Sequence, residues 1–447
     1  MNKTLFPKDF VWGVATSAYQ IEGAATQDGR GASIWDTFSR LPGKVRNGEN
    51  GDVACDHYNR YRDDVALVAA LGVGAYRFSV SWPRVQPDGR GAWNEAGWDF
   101  YARLLDELER HDLAAYVTLY HWDLPQALED RGGWRNRETA YRFAEYAAEF
   151  ARRFGARVST IATHNEPWCT AILGHEQGIF APGLRDRAAA YLVSHHLLLS
   201  HGLAVRAMRD AGCAARLGIV LNQWPVHAAD LDSEADRRAA RLADGTHNRW
   251  YMDPLFGRDY PADVLAWLGE DAPQVAAADL DTIAQPIDFL GINYYSRIFC
   301  STATPPVPTP NALGQTDIGW EIYPEGLTEH LVRMARDYAP PPIYITENGA
   351  ADADRLEADG VHDVLRLDYY KRHLRALAQA RALRADVRGY FAWSLMDNFE
   401  WAEGYGKRFG LLYVDYATQR RIPKDSARWF KEFLDVQRTV TRCAPAT

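Results

Sequence analysis

Eight short apolar stretches punctuate the chain, and between most of them lie longer stretches with a three-to-four-residue hydrophobic period. The short ones cover residues 10–15, 75–80, 115–120, 158–163, 216–221, 287–292, 342–346 and 388–392. They are too short for typical helices, and many are rich in β-branched or aromatic residues, so each predicts a buried strand. Residues 60–71 place Val65, Leu67, Val68 and Leu71 at helical spacing. Residues 98–110, 138–154 and 367–383 repeat that pattern and predict helices with one apolar face. Strands alternating with helices imply a parallel sheet. Eight such units predict a protein of the α/β class, a single-domain (β/α)8 (TIM) barrel over residues 1–447 with no second domain. Residues 301–319 are rich in Pro, Thr and Gly and lack any period. A loop of that length is usually functional or disordered. Following the sixth strand, it is expected to overhang the carboxyl face of the barrel, with Trp320 as a wall residue.

Two of the eight runs lead directly into a glutamate. Residues 158–163 run into His164, Asn165, Glu166 and Pro167, and residues 342–346 run into Glu347, Asn348 and Gly349. Pro167 keeps Glu166 out of the helical region, and Asn-Gly is a strong turn signal. Both carboxylates are therefore expected at the carboxyl ends of strands, where a barrel builds its active site. A lone strand-end glutamate is ordinarily a solvated group. A pair of them is the equipment for cleaving a glycosidic bond, one to protonate and one to attack or to activate water.

The remaining strand ends supply further polar and aromatic residues. Gln20 and Glu22 follow the first, Arg77 lies within the second with Trp82 after it, and His121 and Trp122 end the third. Asn222, Gln223 and Trp224 end the fifth, Asn293, Tyr294 and Tyr295 the sixth, and Trp393, with Glu400 and Trp401 close behind, the eighth. Amides and carboxylates pair with vicinal hydroxyls, and an indole face covers the C–H surface of a pyranose. Such pockets combine apolar walls with a few placed polar groups. Any single tryptophan could instead be core; clustering at strand ends favours binding for Trp393 and Trp401.

Composition narrows the partners. The formal net charge is −9, which argues against a sequence-independent grip on nucleic acid and against anionic membranes. No apolar run reaches the roughly 18 residues of a membrane span, and residues 1–10 lack the apolar stretch of a signal peptide. The five cysteines (Cys55, Cys169, Cys213, Cys300, Cys443) are scattered and form no CxxC pair, as in a reduced, cytoplasmic protein. His195, His196 and His201 lack the i, i+4 spacing of a helical metal pair and read as buried structural histidines. With no phosphate-binding glycine motif either, neither metal nor cofactor is expected. A neutral small molecule suits this chain, and a homo-oligomer stays open.

The motifs together resemble family 1 of the glycoside hydrolases, the β-glucosidase family, over nearly the whole chain. The resemblance rests on FVWGVATSAYQIEG at 10–23, YRFSVSW at 76–82, Asn165-Glu166-Pro167, Thr346-Glu347-Asn348-Gly349 and WSLMDNFEW at 393–401, in the family's order. It implies a retaining exo-acting β-glucosidase with Glu347 as nucleophile and Glu166 as acid/base. Gln20, His121, Trp122, Asn165, Asn293, Glu400 and Trp401 would hold the non-reducing sugar over a floor of Trp393, while Arg77 and Tyr295 would contact Glu347. Glu400-Trp401 argues against phospho-sugar relatives, because a carboxylate repels phosphate, and an intact Glu166 argues against thioglucosidases. The implied substrates are β-glucosides such as cello-oligosaccharides or aryl glucosides, with β-galactosides and β-fucosides also in range. A non-catalytic sugar-binding barrel, a β-galactosidase and a transglycosidase are the alternatives. His164 departs from the family pattern; alternation on its strand points it away from the acid.

Overall fold

A computed structural model describes residues 6–443 of the chain. The eight predicted strands all form: β1 (Val11–Ala15), β2 (Ala75–Ser79), β3 (Ala114–Tyr120), β4 (Thr160–Asn165), β5 (Arg216–Asn222), β6 (Phe289–Asn293), β7 (Ile343–Asn348) and β8 (Val387–Trp393). Every neighbouring pair is parallel, and β1 pairs with β8 to close the barrel. This is the (β/α)8 barrel that the alternation predicts.

Two layers of side chains hold it. Inside, Tyr116, Phe289, Tyr344 and Phe391 fill the barrel. They fit because glycines face two of them: a Cβ on Gly13 would lie 2.3 Å from the Phe391 ring, and one on Gly389 2.6 Å from Tyr344. Outside, the strands' other faces pack against the helices α1 (His57–Ala70), α2 (Glu95–Arg110), α3 (Glu138–Phe154) and α4 (Arg187–Asp210). Each fully buried Leu, Ile or Val there contributes about 1.5–3 kcal/mol. Predicted and observed bounds of α3 coincide, and its ends show why. The Glu138 amide donates to Asn136 Oδ1 at 3.0 Å, and Arg152 and Arg153 sit in the last turn, where cations meet the negative end of the helix dipole.

Helix α4 corrects one expectation. It is long and apolar enough to cross a membrane by length and composition, but 78% of its apolar window is buried inside the protein. It is a core helix, capped at its start by the Asp186 carboxylate on the Ala189 amide. Its histidines are buried as predicted and each has a hydrogen-bond partner, although the Nε2 of His201 has none. His195 bonds Tyr260 and Asp279, His196 meets the Trp134 carbonyl, and His201 meets Thr163.

The carboxyl face carries the long connections. Val226–Ala228 and Ile298–Cys300 form a small parallel pair above it. The aperiodic segment 301–319 runs from that pair. The Asp236 carboxylate anchors its start through the Thr302 amide (2.7 Å), and Lys407 anchors its end through Asp317 (2.9 Å). The connection from β5 to β6 carries the short helices Glu234–Asp244, Trp250–Leu255, Ala262–Leu268 and Ala277–Ile283, and α5 (Pro324–Tyr338), α6 (Val364–Ala382) and α7 (Asp425–Cys443) follow β6, β7 and β8.

Candidate active site

Both glutamates stand at carboxyl ends of strands. Glu166 follows β4 directly with φ +47°, a conformation that L-residues other than Gly, Asn and Asp seldom adopt. Trp122 (φ +78°) and Trp401 (φ +49°) share that region. Such backbone costs on the order of 1–3 kcal/mol each and collects at functional sites. Glu347 lies within β7, not just past it. The strand runs on because Glu347 is in register with Asn293 of β6, and Asn348 with Ala392 of β8.

A single amide connects the two carboxylates. Asn293 Nδ2 donates to Glu166 Oε1 at 2.6 Å and to Asn165 Oδ1 at 3.1 Å, while Asn293 itself is the register partner of Glu347. Arg77 donates to Glu347 Oε1 at 2.6 Å and to Asn165 Oδ1 at 2.7 Å, and the Tyr295 hydroxyl donates to Glu347 Oε2 at 2.7 Å. All these side chains are buried. The sequence-predicted support of Glu347 by Arg77 and Tyr295 is therefore present.

Charge in this pocket is crowded. Burial, and then the charge on Glu347, push the Glu166 carboxyl up to about 7. Burial raises Glu347 too, against the pull of Arg77 and Tyr295. Burial thus leaves Glu347 less acidic than an exposed glutamate despite those two partners. Of the pair it still ionises first, because it alone bonds a guanidinium, and a nearby opposite charge favours the ionised form. Burial and the same two glutamates push Glu400 up to about 8. His121 is held neutral by burial and by Arg77.

The predicted sugar-holding residues converge on one side of the pair. Gln20 Nε2 donates to Asn398 Oδ1 and the Phe399 carbonyl, both at 2.9 Å, and approaches Glu400 Oε2 at 3.4 Å. Asn165 Nδ2 and His121 Nε2 are 3.3 Å apart, and the Trp122 indole donates to the Asn165 carbonyl at 2.8 Å. The His121 ring lies nearly parallel to both Trp393 and Trp401, 5.9 Å from each. Two strand-end candidates belong elsewhere. Glu22 is a buried partner of Arg84 and Tyr101, and Trp82 stacks on Tyr146 in the helical layer. His164 also faces outward, bonded to Ser200 and stacked on Phe143.

Sequence reasoning overlooked one neighbour of Glu166. Cys169 lies 3.0 Å from its Oε2, and only the three-residue spacing past a strand end hinted at it. A second group, Trp168, Trp224, His247 and Trp320, makes an aromatic wall beyond the carboxylates. Trp320 reaches Tyr295 with ring centroids 5.1 Å apart, so the long loop does abut the site.

Known proteins match this chain along its length. The model of glycosyl hydrolase family 1 matches residues 2–439. A thermostable β-glucosidase B from Thermobispora bispora is 50% identical, the match covering 96% of this chain and 90% of the relative. A bifunctional β-D-glucosidase/β-D-fucosidase from Bifidobacterium breve is 46% identical, covering 96% and 98%. The solved β-glucosidase from Thermotoga maritima in complex with deoxynojirimycin superposes with a TM-score of 0.93 at 46% identity, covering 97% of this chain and 99% of that one. With two linked strand-end glutamates in a closed barrel, and a family match that spans nearly every residue, the chain belongs to glycosyl hydrolase family 1, the β-glucosidases.

Proposed function

We propose that this retaining β-glucosidase works through Glu347 as nucleophile and Glu166 as acid/base, on the terminal non-reducing sugar of β-glucosides. The observation that carries the reading is the Asn293 amide, bonded to Glu166 at 2.6 Å and paired in register with Glu347. It supports two carboxyl groups close enough to share one anomeric centre, the roughly 5 Å spacing of retaining enzymes.

The protonation states suit the roles. Glu166, with its pKa raised to about 7, holds a proton through much of the neutral range and delivers it to the leaving oxygen. Glu347, oriented by Arg77 and Tyr295, attacks the anomeric carbon and forms a glycosyl-enzyme. That bond removes the Glu347 charge. Glu166 then loses the neighbour that raised its pKa, ionises more readily, and takes a proton from the water that releases the sugar. Asn165 uses its Oδ1 on Arg77 and Asn293. An N–H is left to donate to the 2-hydroxyl, a contact that strengthens in the transition state. Gln20 and Glu400 grip the distal hydroxyls, Trp122 and Trp401 flank them, and Trp393 is the floor.

Cello-oligosaccharides and aryl glucosides are the proposed substrates, and the Bifidobacterium relative's name supports β-fucosides as well. β-Galactosides and glycosyl transfer are the second reading, because an epimer at C4 changes one hydroxyl contact. One barrel domain supplies every proposed site residue, so a monomer suffices. The four described cysteines are free thiols, which supports a cytoplasmic enzyme.

Azide tests the roles. Glu347→Ala is expected to abolish turnover, with azide restoring product as the α-glycosyl azide. Glu166→Ala is expected to release an activated aryl group and then stall, with azide giving the β-product. The opposite stereochemistry in either variant overturns the assignment.

A further inference from the structure

Glu166 passes from β4 into a wide-wound helix, Cys169–Glu176, within three residues. The Cys169 amide donates to the Glu166 carbonyl at 2.9 Å, which folds the chain back and brings Cys169 Sγ to 3.0 Å from Glu166 Oε2. Oε1 is held by Asn293, so each carboxyl oxygen has one partner. The thiol can serve both states of Glu166: its S–H donates to a carboxylate, and its sulfur accepts weakly from a carboxylic acid. Asn222 Nδ2 approaches the sulfur at 3.9 Å. Burial, and then the charge on Glu166, push the thiol well above its ordinary range. It stays S–H and does not become a competing nucleophile.

We propose that Cys169 is a positioning residue for the acid/base: its S–H caps Oε2, fixes the carboxyl plane together with Asn293, and favours the ionised state that the second half-reaction requires. This rests on the acid/base role proposed for Glu166. The other titratable or charged groups acting at this carboxyl come from other elements. They are Glu347 from β7, Arg77 from β2, Tyr295 after β6 and Glu400 after β8; His121 after β3 meets the neighbouring Asn165, and Tyr251 lies near the thiol. Substituting Cys169 removes none of them.

The test is the pH profile of kcat/KM on an aryl β-glucoside for Cys169→Ala and Cys169→Ser. Loss of a weak donor to the carboxylate is expected to move the alkaline limb up by about half to one pH unit in Cys169→Ala. The acid limb stays in place. The serine hydroxyl keeps a donor and is expected to hold the alkaline limb near the wild-type position. An unmoved limb in Cys169→Ala overturns the proposal, and so does an equal shift in both variants, which would report lost volume and not a lost donor. Should Cys169→Ala fail to fold, a Cys169→Ser limb displaced upward by that amount overturns it, and one left in place supports it. Azide rescue of Glu166→Ala keeps the layers apart. If rescue fails, the role of Glu166 falls; if rescue holds and the limb does not move, this inference alone falls.

Discussion

A carboxylic acid that protonates a departing sugar oxygen is useful only below its own pKa. Glu166 is raised to about 7 by burial and by Glu347, so the protonated fraction falls as pH rises through that value. The alkaline limb of kcat/KM is expected near pH 7, and the acid limb reports Glu347. Tyr295 donates to the ionised form of Glu347, and such a bond favours ionisation. Tyr295→Phe is therefore expected to push Glu347 up, move the acid limb toward neutrality and narrow the bell. A hydrogen bond to a charged group is worth about 1.5–3 kcal/mol, so kcat/KM should fall roughly 10- to 100-fold. A pH–rate profile whose acid limb stays put would show that Arg77 alone sets the Glu347 charge.

Two elements hold the pocket in shape. The segment after β8 presents Glu400 and Trp401, and it is tied down by charges that are buried apart from the partly exposed Arg408. Lys424 Nζ donates to Asp397 Oδ1 at 2.6 Å, Arg408 to Asp397 Oδ2 at 2.6 Å, and Arg366 to both Asp354 and Asp363. Burial works against the Asp397 charge, but Lys424, Arg408 and Arg366 outweigh it and hold the carboxyl below its ordinary range. A depressed carboxylate stabilises the fold above its unfolded pKa of about 3.9 and loses that contribution as pH falls through the folded value. Lys424→Met removes the shared cation and is expected to cost about 3–5 kcal/mol, read as a lower urea midpoint. The second element is the loop that ends in Trp320. Trp320→Ala removes a ring from the wall near Tyr295. It is expected to lower kcat/KM for an aryl glucoside about 10-fold, on the order of an aromatic contact, while changing cellobiose less. Equal losses on both would place Trp320 outside the leaving-group side.

At the scale of the whole molecule, the barrel was legible because its signal is periodic. Eight buried strands read as continuous apolar runs, and helices such as α3 announce themselves by an apolar stripe. The strand-end residues were legible by position. What stayed hidden is set by contacts between distant segments. Glu22 and Trp82 sit at strand ends like true site residues, and only Arg84 and Tyr146 reveal them as structural. Cys169 carries no motif, and its value depends on a helix turn that brings sulfur back to a carboxyl group. Glu347 shows the same limit: its cation was foreseeable, but the depth of its burial was not.

The grip on the sugar straddles the seam where the barrel closes. Gln20 follows the first strand, yet its amide bonds Asn398 and Phe399, more than 370 positions later and beyond the last strand. Pairing of β1 with β8 brings them together. During synthesis, Gln20 emerges early and has nothing to clasp until the final strand leaves the ribosome. A chain that lacks the residues beyond β8 therefore leaves the Gln20 amide without Asn398 and Phe399, and the proposed grip on the sugar is complete only when the ring is.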